Sequence, residues 1–116
     1  VLAAVRAAVS DVVGQVGAAR VAGLSFSAAL HSLVGLDADG TPVTELLTWA
    51  DTRATAQAER LRAAAGGPAL HGRTGTPLHP MSPLPTLAWF REARPDLLDA
   101  VHTWAGIEED VLLRLC

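Results

Sequence analysis

Thr74-Gly-Thr-Pro-Leu-His-Pro-Met-Ser-Pro83, read together with Trp49-Ala-Asp-Thr-Arg53 upstream, decides how this chain is built. Both stretches are turn-rich, and between them they carry a tryptophan, a histidine and the single methionine. Placed after a strand and before a helix, they read as the walls of a small-molecule pocket on loops held by a rigid scaffold. Ser82 followed by Pro83 starts a helix, because a proline at the first helical position wastes no donor, and Leu84, Leu87 and Ala88 are expected to point inward. Upstream, Asp51 or Thr52 is placed to cap a helix running to about Ala65, with Ala54, Ala58, Leu61 and Ala65 on one side. Gly66-Gly-Pro68 stops it. Downstream, Arg94-Pro95 opens a short helix to about Val101, and Glu108-Glu109-Asp110 suit the N-terminal dipole of a last helix that buries Ile107, Val111, Leu112 and Leu115.

Before these loops, Leu2, Val5, Val9, Val12, Val13 and Val16 recur at intervals of three and four, which makes one apolar stripe on a helix ending near Gly17. The runs 21–27 and 33–36 predict two strands joined near His31, and 46–49 a third. Asp37-Ala-Asp-Gly40 predicts a turn whose glycine takes positive φ; it lacks the ligand ladder and terminal Glu of a calcium loop. Helix, strands and then several helices define an α/β unit with a helical elaboration, divided as 1–50 (helix and strands) and 51–116 (mainly helical). The chain starts inside a helical pattern without methionine and stops without a capping glycine, so both ends read as cut.

Half of the 116 residues are hydrophobic, enough for a core. All nine basic residues are arginines scattered singly and the net charge is −3, so no basic stripe follows a phosphate backbone and nucleic acid is not an expected partner. Arg6, Ser10, Asp11 and Gln15 interrupt the apolar opening, which excludes a signal peptide or membrane span there. One cysteine, Cys116, permits no internal disulfide and no cysteine-built zinc site, and a cytoplasmic location follows.

None of the four histidines, His31, His71, His79 and His102, pairs at the spacing of a zinc helix, so no metal site is expected. His31 lies between apolar runs, where it either satisfies a core partner or faces a polar ligand. Asp51 can cap a helix while Arg53 pairs locally, or its carboxylate can accept hydrogen bonds from a polyol. Met81, between two prolines, suits core filling and ligand contact equally. No nucleophile elbow, phosphate loop or dinucleotide fingerprint occurs.

Taken in order, Val21-Ala-Gly-Leu-Ser25, Ala29-Leu-His-Ser-Leu-Val34, Trp49-Ala-Asp-Thr-Arg53, Arg73-Thr-Gly-Thr76, His79-Pro-Met-Ser-Pro83 and Leu112-Leu-Arg-Leu115 resemble the FGGY carbohydrate kinases over nearly the whole chain. Ser25-Phe-Ser-Ala-Ala-Leu-His31 and His79-Pro-Met-Ser-Pro83 resemble the gluconate-phosphorylating branch. The resemblance implies a fragment of the N-terminal lobe of an actin-like, ribonuclease-H-like ATPase fold. It implies a kinase that converts gluconate to 6-phosphogluconate with ATP and magnesium, and it allows for a homo-oligomer. In such kinases a phosphate-contacting turn with a magnesium-associated Asp and a later catalytic Asp do the chemistry. Neither is found at the expected place, so this fragment alone is expected to be inactive, with no catalytic, nucleotide or metal residues of its own. By the same resemblance Leu30 and His31 would contact sugar hydroxyls, Trp49 would pack on the sugar and Met81 would face it, with His79 near and Asp51 part of the motif. Arg53 and Arg73 are the candidates for the gluconate carboxylate. A xylulose or other polyol kinase of this family, and a non-catalytic helical interaction module burying His31, Trp49 and Met81, are the competing readings.

Overall fold

The computed structural model describes residues 1–64 and 66–115; the expectations that fall on Ala65, as the end of a helix, and on Cys116 lie outside the described residues. In chain order the elements are α1 (Leu2–Val16), a 3-10 turn (Ala18–Arg20), β1 (Val34–Leu36), α2 (Thr55–Ala63), α3 (Gly67–Thr74), α4 (Pro83–Ala93), α5 (Pro95–Ala100), β2 (Thr103–Ala105) and α6 (Ile107–Leu115).

β1 is the centre. Its three residues are all buried, and it pairs antiparallel with β2 in the register Val34–Ala105, Gly35–Trp104, Leu36–Thr103. On its other side the segment 42–47 makes two isolated bridges, Leu36 to Pro42 and Leu33 to Leu47. That segment spends two more residues than β1 on the same span, 42–47 against 33–36, so it bulges. The bulge removes a backbone acceptor, and the Thr44 hydroxyl replaces it by accepting from the Gly35 N–H at 2.8 Å. The hairpin closes through Asp37, whose Oδ1 accepts from the N–H groups of Asp39 (3.0 Å) and Thr41 (2.8 Å), and Gly40 takes φ 75 as its turn demands.

Gly35 is required by space. A Cβ built there would lie 2.3 Å from Val101 Cγ2 and 3.1 Å from Thr44 Cγ2, with the Trp104 ring at 3.3 Å. Val34, Leu36 and Ala105 form the sheet core with Leu46 against it. Phe90, 1% exposed, links this core to the helices by an edge contact with Trp89 (centroids 5.1 Å) and a tilted one with Trp104 (4.9 Å). Ala54 and Ala58, both fully buried, let α2 approach α4 closely.

Several expectations need correction. The run 21–27 forms no strand, having no ladder partner among the described residues, and Leu24 is 58% exposed. At 46–49 only Leu47 pairs. Asp51 and Thr52 do not cap α2, which starts later behind Ala54 without a side-chain cap; the Thr52 carbonyl takes the Thr55 N–H instead. Gly66-Gly-Pro68 ends one helix but also begins another, because Pro68 occupies the first turn of α3. On α4 the buried face is Pro85, Thr86 and Phe90, while Leu84 is 43% exposed; the Thr86 hydroxyl, donating to the Ser82 and Pro80 carbonyls, belongs inside where it pins the preceding loop. β2 was not foreseen. The helix boundaries at Pro83, Pro95 and Ile107 agree with the sequence.

The apolar stripe of α1 has no buried residue; Val12 is 56% and Val16 41% exposed. No helix is long and apolar enough to cross a membrane among the described residues.

Gly35→Ala in the intact protein should cost roughly 1–3 kcal/mol or more of folding stability through overpacking, and denaturant titration of the two proteins measures it.

Candidate functional site

The bend that carries the chain from residue 28 into β1 forms one wall of an open cleft of about 450 Å³. Leu30 and His31 line it, with Pro83 and Leu87 of α4 and the start of α6 opposite. His31 has φ 65, the one positive φ outside glycine among the described residues. Such a conformation costs free energy and persists where the surroundings impose it, as at ligand sites. The surroundings here are specific. Ser32, 8% exposed, accepts the Ile107 N–H on its hydroxyl at 2.9 Å, which ties the residue after His31 to the first turn of α6. Glu109 reaches back to the Gly106 N–H at 2.9 Å and completes the α6 cap. Leu33, on the far side, exchanges both backbone bonds with Leu47 at 2.9 and 2.8 Å.

His31 lies two residues before the Leu33–Leu47 bridge on one segment and Trp49 two residues after it on the other; His31 lines the cleft, whereas Trp49 and Met81 are not among its lining residues. Trp49 stands on a turn closed by the Asp51 N–H to the Thr48 carbonyl at 3.0 Å, and it is 60% exposed. Leu30 is 73% exposed. His31 and Met81 are half-buried, so none of the three residues that a purely structural module would bury lies in the core. Met81 follows His79-Pro80 in a loop set by Ser82, whose hydroxyl, on a residue 2% exposed, donates to the Pro77 carbonyl at 2.7 Å. Pro83, two residues on, reaches the cleft wall.

His79 is not brought to this cleft. It lines a separate pocket of about 320 Å³ with Arg62, His71, Pro77 and Leu78, and its Nδ1 accepts the Met81 N–H at 3.3 Å. Asp51 is occupied elsewhere. Its Oδ1 accepts from both the backbone N–H and the Nε of Arg53 at 2.9 Å, while Arg53 Nη2 donates to Glu45 at 2.7 Å and the guanidinium lies over Trp89 at 4.9 Å. Burial pushes the Asp51 carboxyl up, but the hydrogen bonds and charge of Arg53 outweigh it and hold the group below its usual range. The same Asp51 bond, opposed by burial and helped by Glu45, raises Arg53 further. Of the two arginines offered for a substrate carboxylate, Arg53 is therefore spent on structure, and Arg73 is exposed on α3 rather than on the cleft walls.

The sequence reading passed over Glu108, Glu109, Pro83 and Leu87 as cleft walls. The acidic run was legible as a helix start; that this helix starts against His31 depends on the 75-residue separation bridged by Ser32 and Ile107. An imidazole and carboxylates lining one cleft offer donors and acceptors to a ligand rich in hydroxyls. Among the described residues no group of three or more His, Cys, Asp and Glu is placed for a metal ion.

The architecture is that of sugar-kinase domains. The gluconate kinase of Lactobacillus acidophilus superposes with a TM-score of 0.80 at 30% identity, covering 90% of this chain and 21% of that one. The ligand-bound xylulose kinase of the same organism superposes at 0.87 and 30% identity, covering 97% and 23%. In sequence, the gluconokinase of Bacillus subtilis (strain 168) is 35% identical over 96 residues, 83% of this chain and 19% of its own. The pattern of the FGGY family of carbohydrate kinases, N-terminal domain, matches residues 1–116, and the chain belongs to that family. It spans about a fifth of the relatives' length.

Since Asp51 is depressed in the folded state, it contributes stability that is present above its unfolded value of about 3.9 and is lost as the pH falls through the folded value. The gap in stability between the wild type and Asp51→Asn should be about 1 kcal/mol and flat over roughly pH 5–8, closing below about pH 4; denaturation at stepped pH measures it.

Proposed function

We propose that this chain is the sugar-binding part of an ATP-dependent kinase that phosphorylates gluconate at its terminal hydroxyl to give 6-phosphogluconate, acting in the cytoplasm on a small sugar acid. The observation that carries the reading is the cleft wall at Leu30 and His31, with His31 at positive φ directly before the ties made by Ser32 and Leu33. The likeness to gluconokinases over 83% of the chain supports the choice of substrate. In this reading His31 contacts sugar hydroxyls, Trp49 offers an apolar platform, Met81 borders the approach, and Asp51 acts through Arg53, while His79 stays in its separate pocket. Glu108 and Glu109 line the same cleft and repel an anion, so hydroxyls of the sugar face α6 and its carboxylate points away. Nucleotide, magnesium and catalytic base belong to the greater part of the relatives' length that has no counterpart in this chain. Phosphoryl transfer then rests on holding the sugar hydroxyl in line and on charge stabilisation once both lobes close.

A xylulose kinase is the second reading, supported by the TM-score of 0.87 to the Lactobacillus acidophilus xylulose kinase. A coupled ADP-release assay of the intact protein across a sugar panel separates the two: gluconate should give the highest kcat/KM, and a higher value for xylulose or glycerol would overturn the assignment.

His31→Ala should lower kcat/KM more than stability, each lost hydroxyl bond being worth roughly 0.5–1.5 kcal/mol. Steady-state kinetics and thermal melts on one preparation decide it. A lowered Tm with unchanged kcat/KM would remove His31 from the site.

A further inference from the structure

We infer that Arg53 is a positioning residue for sugar binding, and that it acts by clamping the loop that presents Trp49. The inference rests on the sugar-site reading of Trp49 above. One guanidinium closes both ends of the segment 45–53: Nη2 donates to Glu45 at 2.7 Å, and Nε donates to both Asp51 oxygens at 2.9 Å. The planar fork also stacks on Trp89, so the clamp is fixed to α4, the helix whose Pro83 and Leu87 line the cleft. Inside the clamped segment Leu47 is held to Leu33, two residues after His31, and the turn 48–51 leaves Trp49, two residues after Leu47, 60% exposed. Trp49 stands mostly clear of protein surface, so its orientation follows from the turn beneath it and the turn from Asp51. A lysine has the charge but neither the fork nor the flat face, and cannot hold Glu45, Asp51 and Trp89 at once. The chemistry recognised is the apolar face of a hydroxylated chain, which an indole covers and which a displaced indole would miss.

The test uses the intact kinase. Glu45 is 67% exposed at its side chain, so Glu45→Gln removes the charge from one arm of the clamp with little effect on Tm. We expect Glu45→Gln to raise KM for the sugar about threefold and Arg53→Lys about tenfold, with KM for ATP unchanged and kcat within about twofold. In a Trp49→Ala background, which should itself raise the sugar KM, neither change should add further, because the clamp then has nothing to position. If Arg53→Lys lowers Tm while the sugar KM stays at the wild-type value, the clamp is only structural and the inference falls. Full additivity with Trp49→Ala would also overturn it, since the clamp would act on another group. If Trp49→Ala alone leaves the sugar KM unchanged, the failure lies in the sugar-site reading, and the inference falls with it.

Discussion

The structure hangs on the close approach of backbone at Gly35. A strand of three residues is too short to hold itself, and β1 is stable only because it is paired on both sides and covered on both faces. Coverage brings Val101 and Trp104 so near that no side chain fits between them. From that one strand the site follows. Its N-terminal extension carries His31, its partner β2 leads directly into the first turn of α6, and its bulged neighbour carries the chain to Trp49. His31 and the start of α6 thus meet in the cleft at one end of β1, and Trp49 follows Leu47 by two residues on the neighbouring segment.

Two kinds of polar chemistry hold this end, and they have different consequences. The Ser32 and Glu109 bonds are local satisfaction of the orphan N–H groups of α6, and their effect is to fix where a helix begins relative to His31. The Glu45–Arg53–Asp51 group is an ion-pair cluster partly open to solvent, and its net effect on stability is small. Its geometric effect is larger. Arg53 directs Nε and Nη2 to two carboxylates and lays its plane over an aromatic face, so its charge is already matched by Asp51 and Glu45 rather than left for a sugar acid.

What the sequence disclosed were features governed by near neighbours. The prolines at positions 83 and 95 and the acidic residues after Ile107 act within one turn, and the helices they announce are present. The Asp37 turn is likewise self-contained. Strands were misjudged because a ladder needs a partner: 21–27 has β-compatible residues and none beside it, whereas 103–105 has the partner without an obvious pattern. Leu30 and His31 were legible as site candidates by resemblance, as was Trp49, but the acidic residues that share the cleft with Leu30 and His31 were not, since they are brought there through Ser32 and Ile107 across 75 residues. His79 fell on the other side of its loop because its ring accepts the Met81 N–H and lies toward α3.

Exposed apolar surface occurs here in two settings that call for different explanations. On α1 it is a regular stripe, Val12 and Val16 included, on a helix with ordinary backbone, and a stripe of that spacing is a packing face. At Leu30 and Trp49 it is borne by single residues on tight turns, flanked by His31 at positive φ and by a clamped ion pair. Folding would have no reason to impose strain and three directed bonds to expose two large side chains, because a loop left to itself would turn them inward and gain about 25 cal/mol per Å² of apolar area buried. The local geometry holds them out against that gain. That is the arrangement expected where the burial is completed by a ligand and an opposing surface, and it separates the cleft from the stripe on α1.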